Sequence, residues 1–361
     1  MKLTILSFLF FLLVTDFSKA DQKNSTDALG VVSRFNENLF NNFKVIKGSI
    51  ANFNDFPYAV NVYADLGDTD SICTGFLIAE GVLLTAAHCL VSQSGQIPPS
   101  SIFISIGSAS NFLTNKDIYE ASSVIPHPEF SSDTIANDIG IVTFNITAAN
   151  TITFAKIYGF NVSDDLPVEA AGWGVTVNED SSPSNVLMSV PLHISSSSLC
   201  SNLYPLWTSN NDTIICTETF NGQGPCYGDS GGPLAYSNVS PMPVVGIISF
   251  GLSEPFNSSS DDNSYCGVAG GAGYYTHAFS YIDWIVEITK LDKEFLLYNG
   301  SSFVSSNSTS DDVTNSSSAY GSSSVPSSAS NIVLPGISHI IPFYNPFISV
   351  SILAISIFYL I

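Results

Sequence analysis

Short runs of β-forming residues between turn-forming residues are the feature that most restricts the fold of this chain. From residue 45 onward, segments rich in Val, Ile, Phe and Tyr alternate with clusters of Gly, Pro, Asn and Ser. This spacing of strands and turns predicts an all-β sandwich or barrel. The predicted strands are 58–63, 75–78, 82–85, 102–107, 119–125, 139–144, 168–172, 186–194, 244–250 and 274–276.

One segment near the end of this β-rich region has helical periodicity instead. Phe279, Ile282, Ile285 and Val286 recur at the spacing of one helical face. The strand counts place a boundary between two β subdomains near residue 155. The sequence therefore predicts two β subdomains followed by a single helix.

Composition narrows the class of partner. The 361 residues are 45% apolar, enough for a sizeable core. The formal charge of −21 comes from 31 acidic and only 10 basic side chains. This balance argues against binding to nucleic acid and against docking on anionic lipid.

The amino-terminal region carries export signals. Residues 1–20 contain an early lysine, an apolar run and a small-residue ending, which is typical of a secretory signal peptide. Residues 21–44 are polar and Asn-rich, and we interpret them as a propeptide. Export would place the six cysteines in an oxidising compartment, where an even count favours disulfides over a metal site. No metal and no cofactor is predicted.

The carboxyl-terminal region is polar and then apolar. Residues 291–330 form a predicted spacer, rich in Ser and Asn over 301–330, and residues 331–361 form an apolar end without a following Lys or Arg. Small residues, a spacer and an apolar tail favour a glycosylphosphatidylinositol (GPI) attachment signal. A membrane-spanning helix begun at Ile337 would be long enough, although prolines and His339 interrupt it. The chain also has nine Asn-x-Ser/Thr acceptors, which predict a glycoprotein: Asn24, Asn145, Asn161, Asn211, Asn238, Asn257, Asn299, Asn307 and Asn315.

Three separated motifs carry residues suited to nucleophilic catalysis. Ser230 lies in Gly-Asp-Ser-Gly-Gly, where glycines let backbone N–H groups approach a substrate carbonyl. A serine hydroxyl also needs a base, and His88 follows an apolar strand and two alanines. Asp138 opens another apolar strand and could orient that histidine. Taken singly, each has a plainer interpretation: a surface turn, a core histidine and a turn aspartate.

Together, in the order His, Asp, Ser, these motifs resemble the chymotrypsin-like (trypsin-fold) serine peptidases over residues 45–290. The resemblance implies two packed six-stranded antiparallel β-barrels with a C-terminal α-helix. It implies a serine endopeptidase that forms an acyl-enzyme, with His88 as general base and acid, Asp138 as its orienting partner and Ser230 as nucleophile. The N–H groups of Gly228 and Ser230 would form the oxyanion hole.

Further motifs of the family extend the resemblance. Ser249 would hydrogen-bond Asp138, and the backbone of Ser249, Phe250 and Gly251 would pair with an extended substrate. Phe250 stands where the family usually has Trp. The family's disulfide pattern implies three pairs: Cys73–Cys89, Cys200–Cys216 and Cys226–Cys266.

The resemblance also implies activation by cleavage. An activating protease would cut after Lys44, and the new ammonium of Val45 would pair with Asp229. Without that partner, buried Asp229 would disfavour the arrangement that aims the oxyanion-hole N–H groups. The precursor is therefore expected to be nearly inactive. Lys47, where glycine or asparagine is usual, is a departure from the family pattern.

Specificity in this family is set by the residue six positions before the nucleophile, which here is Gly224. No carboxylate stands there to bind Lys or Arg, and Gly251 and Gly273 would leave the pocket walls open. We expect a large hydrophobic residue before the scissile bond. The long stretch 252–264 could refill the pocket or supply a charge.

A second class of function fits the same residues. A protease-fold binding or adhesion protein with vestigial catalysis could be displayed on the polar spacer. Such proteins usually lose a triad residue or the activation terminus, and this chain keeps both. The expected partners are protein or peptide substrates and an activating protease, with membrane contact only through the C-terminal anchor. The sequence does not indicate an oligomeric state.

Overall fold

Strands dominate the part of the chain that the computed structural model describes, which comprises residues 48–67, 69–115, 117–146, 152–176, 182–256 and 266–300. The predicted signal peptide and propeptide, the apolar terminus and all but residues 291–300 of the spacer lie outside these ranges. No helix in the described ranges is long and apolar enough to cross a membrane.

The first barrel is closed by six antiparallel strands in the order β2-β3-β4-β9-β8-β7. Almost every residue of β2 is buried, because one face of the strand lines the barrel and the other is covered by neighbouring segments. The core is built from aliphatic and aromatic side chains such as Val60, Leu77, Leu84 and Ile141. Its strands are β2 (Ala59–Asp65), β3 (Asp70–Ala79), β4 (Val82–Thr85), β7 (Ile102–Ser105), β8 (Ile118–Pro126) and β9 (Gly140–Phe144).

The second barrel is a sheet in the order β1-β11-β10-β13-β14-β15-β12, in which an additional β11–β12 pairing closes a ring of six strands. The short strand β1 joins this ring from outside by pairing with β11. The two six-stranded barrels expected from the resemblance are thus confirmed. The strands are β1 (Ser49–Ile50), β10 (Pro167–Gly172), β11 (Met188–Ile194), β12 (Ile214–Glu218), β13 (Pro233–Tyr236), β14 (Val244–Leu252) and β15 (Ala272–His277), and a separate hairpin pairs β5 (Val91–Ser92) with β6 (Gly95–Gln96).

The helices are short. The predicted C-terminal helix begins as a 3₁₀ turn, Ala278–Tyr281, and continues as α2 (Ile282–Thr289). It ends at Lys290, whose φ of 62° is left-handed. Two further helices, α1 (Ser198–Leu203) and α3 (Lys293–Leu296), were not predicted from the periodicity.

Trp173 ties the two barrels together. Its side chain is fully buried, and its Nε1 donates a hydrogen bond of 2.9 Å to the carbonyl oxygen of Ala109. Trp207 is also buried, but its Nε1 has no hydrogen-bond partner within the described ranges. The two indoles therefore differ in hydrogen bonding more than in burial.

We expect Trp173→Phe to destabilise the protein more than Trp207→Phe, by about 0.5–1.5 kcal/mol. Both changes remove indole volume, but only the first also removes a hydrogen bond, while the Ala109 carbonyl oxygen keeps the Leu187 N–H as its remaining donor. Urea unfolding followed by circular dichroism measures the difference. Equal losses of unfolding free energy would show that the bond from Trp173 to Ala109 contributes nothing.

Candidate active site

His88 is held in place by the end of a strand and a disulfide. After β4 ends at Thr85, two buried alanines lead into a 3₁₀ turn that begins at Ala87 and contains His88. The next residue, Cys89, is bonded to Cys73 on β3. The His88 side chain remains 32% exposed, so it is fixed at its base and accessible at its tip.

Asp138 holds the imidazole from behind. Its Oδ2 accepts a hydrogen bond of 2.8 Å from His88 Nδ1, and its Oδ1 accepts one of 2.9 Å from the His88 backbone N–H. Ser249 Oγ of β14 donates a third, 2.5 Å long, to Oδ2. With Nδ1 donating to a carboxylate, the neutral ring keeps the lone pair of Nε2 for a proton.

Burial and pairing oppose each other in this couple. Burial lowers the pKa of His88, but the charge and hydrogen bond of Asp138 outweigh it, so the pKa lies above its ordinary 6.5. Burial raises the pKa of Asp138, and the His88 charge and the hydrogen bonds from His88 and Ser249 hold it below its usual range. Asp138, only 1% exposed, is therefore ionised where His88 is neutral.

The loop of Ser230 lies against the first barrel. Thr74 on β3 donates its N–H to the Ser230 carbonyl oxygen at 2.8 Å and its hydroxyl to the Gly228 carbonyl oxygen at 2.9 Å. Gly231 has a φ of +82°, and a Cβ there would lie 2.3 Å from the Thr74 carbonyl oxygen. Among the described residues, the N–H groups of Gly228 and Ser230 donate no hydrogen bond, which leaves both available to a substrate oxygen.

A cavity of about 480 Å³ opens beside these residues. Its described lining contains no carboxylate. It has room at Gly224 and Gly251, where an added Cβ would find its nearest neighbour at 3.7 Å, whereas at Gly273 it would lie 2.9 Å from the Tyr275 hydroxyl. The predicted site residues that line it are His88, Gly224, Ser230, Ser249, Phe250, Gly251 and Gly273.

A cluster of aromatic side chains supports one wall of the cavity. Phe250 stacks on Tyr274 with ring centroids 4.8 Å apart and contacts Tyr204 edge-on at 5.1 Å. Tyr204 donates its hydroxyl hydrogen to the Thr134 carbonyl oxygen at 2.5 Å. The next residue, Ile135, lines the cavity with a φ of 56°, which is strained for a β-branched side chain. Sequence patterns did not identify Ile135 or Tyr204, because their role depends on contacts between distant segments.

Another lining residue, Tyr227, was also missed, although its position next to the Gly-Asp-Ser motif is a local signal; it is 61% exposed. Cys226 and Cys266, which the resemblance pairs, both line the cavity and are bonded to each other. With Cys73–Cys89 and Cys200–Cys216, the described chain has the three pairs that the resemblance implies. Three disulfides fit an oxidising, extracellular environment.

Asp229 lies beneath the Ser230 loop and is 1% exposed. It accepts hydrogen bonds from the backbone N–H of Gly174 at 2.7 Å and of Cys226 at 2.8 Å. No cationic side chain pairs with it within the described ranges. Burial raises the pKa of Asp229 to about 7, and the two backbone bonds only partly oppose it. Lys44 and Val45, predicted to supply its partner, lie outside the described residues.

Comparisons with known proteins identify the family of this chain. A sequence model of the trypsin family matches residues 45–285. The chain is 30% identical over 263 residues to the clotting factor G beta subunit of Tachypleus tridentatus, covering 68% of this chain and 80% of that protein. It is 29% identical over 259 residues to the proclotting enzyme of the same species, covering 68% of this chain and 66% of that protein.

A solved structure shares the fold. The solved structure of HL collagenase matches with a TM-score of 0.54 and 23% identity, over 69% of this chain and 100% of that one. Because the family match spans more than half of the residues, the chain belongs to the trypsin family. It is a serine-type endopeptidase.

Proposed function

We propose that this endopeptidase is secreted and hydrolyses peptide bonds with a triad of His88, Asp138 and Ser230. One observation carries the proposal: a buried carboxylate holds His88 Nδ1, while the tip of the same imidazole and Ser230 face one cavity. That is the arrangement a serine nucleophile needs, because its hydroxyl is weak without an oriented base.

The reaction follows from these groups. His88 Nε2 takes the hydroxyl proton as Ser230 Oγ bonds to the substrate carbonyl carbon, and the oxyanion binds to the N–H groups of Gly228 and Ser230. The imidazolium, stabilised by Asp138, gives that proton to the departing amine, which leaves an acyl-enzyme. A water then attacks the ester by the same steps and releases Ser230. Each oxyanion donor contributes about 3–4 kcal/mol to lowering the barrier.

The cavity supports a preference for a large hydrophobic residue before the scissile bond. Its volume of about 480 Å³ has room for an aromatic ring, and its described lining offers apolar contact and no carboxylate for Lys or Arg. Gly251 and Gly224 keep the space open because they have no side chain. Residues 257–265, which include Asp261 and Asp262, lie outside the described ranges.

The environment of Asp229 supports activation by cleavage after Lys44. A buried carboxylate with only backbone donors is unfavourable when ionised, and an ammonium at Val45 would relieve that cost. Such pairing would favour the loop conformation in which Gly228 and Ser230 N–H groups point at substrate. An activating protease is then a required partner.

Secretion and anchoring rest on the sequence at the two ends. Residues 1–20 would direct export, 21–44 would be the propeptide, and 45–290 would be the catalytic domain. The start of the predicted spacer is corrected by the structure, because Leu296 of α3 is fully buried in the core. Residues 301–330 would then hold the domain away from the cell surface, and 331–361 would direct GPI attachment. The protein would act outside the cell.

We expect Ser230→Ala to lower kcat by roughly 10⁵–10⁶-fold and Asp138→Asn by about 10⁴-fold on peptide substrates. The first loses the nucleophile, and the second lets the imidazole take the wrong tautomer. Ser237→Ala is the matched control, because this hydroxyl makes no hydrogen bond in the described chain. Unchanged turnover in Ser230→Ala would favour the alternative of a binding protein with vestigial catalysis.

The same assay has an expected pH dependence. His88 must be neutral to accept a proton, and its pKa lies above 6.5, so kcat/KM should fall as the pH drops through a midpoint above 6.5. A midpoint near 4 in the wild-type enzyme would contradict the role of His88.

We expect matched peptides with Phe or Leu before the cleaved bond to be hydrolysed faster than those with Arg or Ala. Gly251→Val should reduce kcat/KM for Phe by at least tenfold and spare the Ala peptide, because the new side chain enters the cavity. Gly251→Ala should have an intermediate effect. Preferred cleavage after Arg would overturn the proposed specificity.

We expect cleavage to change how stability depends on pH. In uncleaved Lys44→Gln protein, the folded pKa of Asp229 near 7 exceeds its ordinary 3.8, so the native state binds the extra proton. The free energy of unfolding should therefore fall by a few kcal/mol as the pH rises from about 4 to 7. Cleaved protein should lose less, because an ammonium lowers that pKa.

Adding Asp229→Asn to the uncleaved Lys44→Gln protein is the control for that measurement. It should flatten this part of the urea-unfolding profile. Identical pH profiles for cleaved and uncleaved protein would rule out a pairing between Val45 and Asp229.

A further inference from the structure

Asn211 uses its whole side-chain amide to hold one other residue. Its Oδ1 accepts a hydrogen bond of 2.8 Å from the Val162 N–H, and its Nδ2 donates one of 3.0 Å to the Val162 carbonyl oxygen. Val162 is 2% exposed and packs in the core of the second barrel. The amide thus fixes the chain where it enters that core after the segment between the barrels.

The adjacent Asn210 also bonds its amide to the backbone, but to two different residues. Its Oδ1 accepts from the Cys216 N–H at 2.9 Å, and its Nδ2 donates to the Ser195 carbonyl oxygen at 2.9 Å. The next residue, Asp212, accepts hydrogen bonds on its carbonyl oxygen from His277 Nδ1 and Ser280 Oγ. The loop before β12 is therefore ordered by hydrogen bonds on both sides of Asn211.

Asn211 is also the possible glycan acceptor of the sequence Asn-Asp-Thr. Carrying a glycan and pairing with Val162 are chemically incompatible for one side-chain amide. Pairing with both the N–H and the C=O of one residue requires the amide oxygen and the donated hydrogen on the same edge of the planar group. A primary amide has a hydrogen there. Attachment of a sugar makes a secondary amide, whose preferred trans form places the carbon substituent on that edge and the remaining hydrogen on the other.

Asn145 and Asn161 differ from Asn211 in this respect. Both are exposed, and the structure records no side-chain hydrogen bond for either in its described ranges. Asn161 directly precedes Val162, so it shares the neighbourhood of Asn211 while keeping its amide unused. It is an internal control for enzyme access to this region.

We propose that the folded protein carries N-linked glycans at Asn145 and Asn161 and keeps Asn211 as an unmodified primary amide. The inference rests on the proposed secretion. A glycan is transferred before the chain has folded, so a chain modified at Asn211 would lose both bonds to Val162 and be depleted from the folded pool.

The test is the occupancy of each acceptor in protein secreted by eukaryotic cells. Folded protein is purified from the medium, treated with peptide N-glycosidase in ¹⁸O-water and analysed by peptide mass spectrometry. We expect the isotope label at Asn145 and Asn161 in most molecules and at Asn211 in fewer than one in ten. Equal labelling at Asn211 and Asn161, or no labelling at Asn145 and Asn161, overturns the proposal. Failure of the protein to reach the medium instead contradicts the proposed secretion, on which the inference depends.

A pair of matched variants tests the pairing itself. Asn211→Asp places an oxygen against the Val162 carbonyl, so it should lower the thermal unfolding midpoint by several degrees. Asn161→Asp should leave the midpoint within about 1 °C of wild type when wild type and both variants are measured after enzymatic deglycosylation. Equal midpoints for the two variants would show that the amide of Asn211 has no structural role and would overturn the proposal.

Discussion

The buried carboxylate of Asp138 is the interaction on which the catalytic arrangement depends. Removing a carboxylate from water is costly unless every lone pair is satisfied, and here the donors come from both barrels. His88 reaches it from the first barrel and Ser249 from β14 of the second, while Thr276 Oγ1 of β15 donates to its carbonyl oxygen at 2.7 Å. Separating the barrels would therefore take the Ser249 hydroxyl away from this buried charge. The same carboxylate orients the histidine.

Asp229 is buried as deeply as Asp138, yet its pKa moves in the opposite direction. Asp138 faces an imidazole and a hydroxyl, whereas Asp229 has only two backbone N–H groups within the described ranges. The His88–Asp138 pair and the loop of Ser230 above Asp229 are thus two electrostatically different parts of the site. Thr74 of the first barrel holds that loop through its hydrogen bonds to the carbonyl oxygens of Gly228 and Ser230. His88 and its orienting carboxylate Asp138 find their hydrogen-bond partners within the two barrels. The loop that carries Ser230 is different, because a new positive charge beside Asp229 would change the free energy of its conformation.

The sequence predicted those parts of the site whose geometry is set by neighbouring residues in the chain. Gly-Asp-Ser-Gly-Gly marks Ser230 because Gly231 must adopt a positive φ against Thr74, and that requirement is visible in the sequence. Strands β12 and β13 were missed; β13 opens with proline, and both are defined by pairing with neighbouring strands. The contribution of Ile135 was also invisible, since it depends on Tyr204 from a segment about seventy residues away.

Neutral hydrogen bonds carry much of the long-range connection in this protein. Its formal charge is −21, and in the described chain the only pair between a lysine and a carboxylate, Lys293–Asp283, is largely exposed. Side-chain amides instead join distant backbone segments, as Asn111 does with Ser184 and Asn211 with Val162. Such bonds neither titrate nor weaken with salt. Acidification also protonates carboxylates and reduces their mutual repulsion. Protonation of His88 should therefore stop catalysis at a higher pH than the one at which the fold is lost.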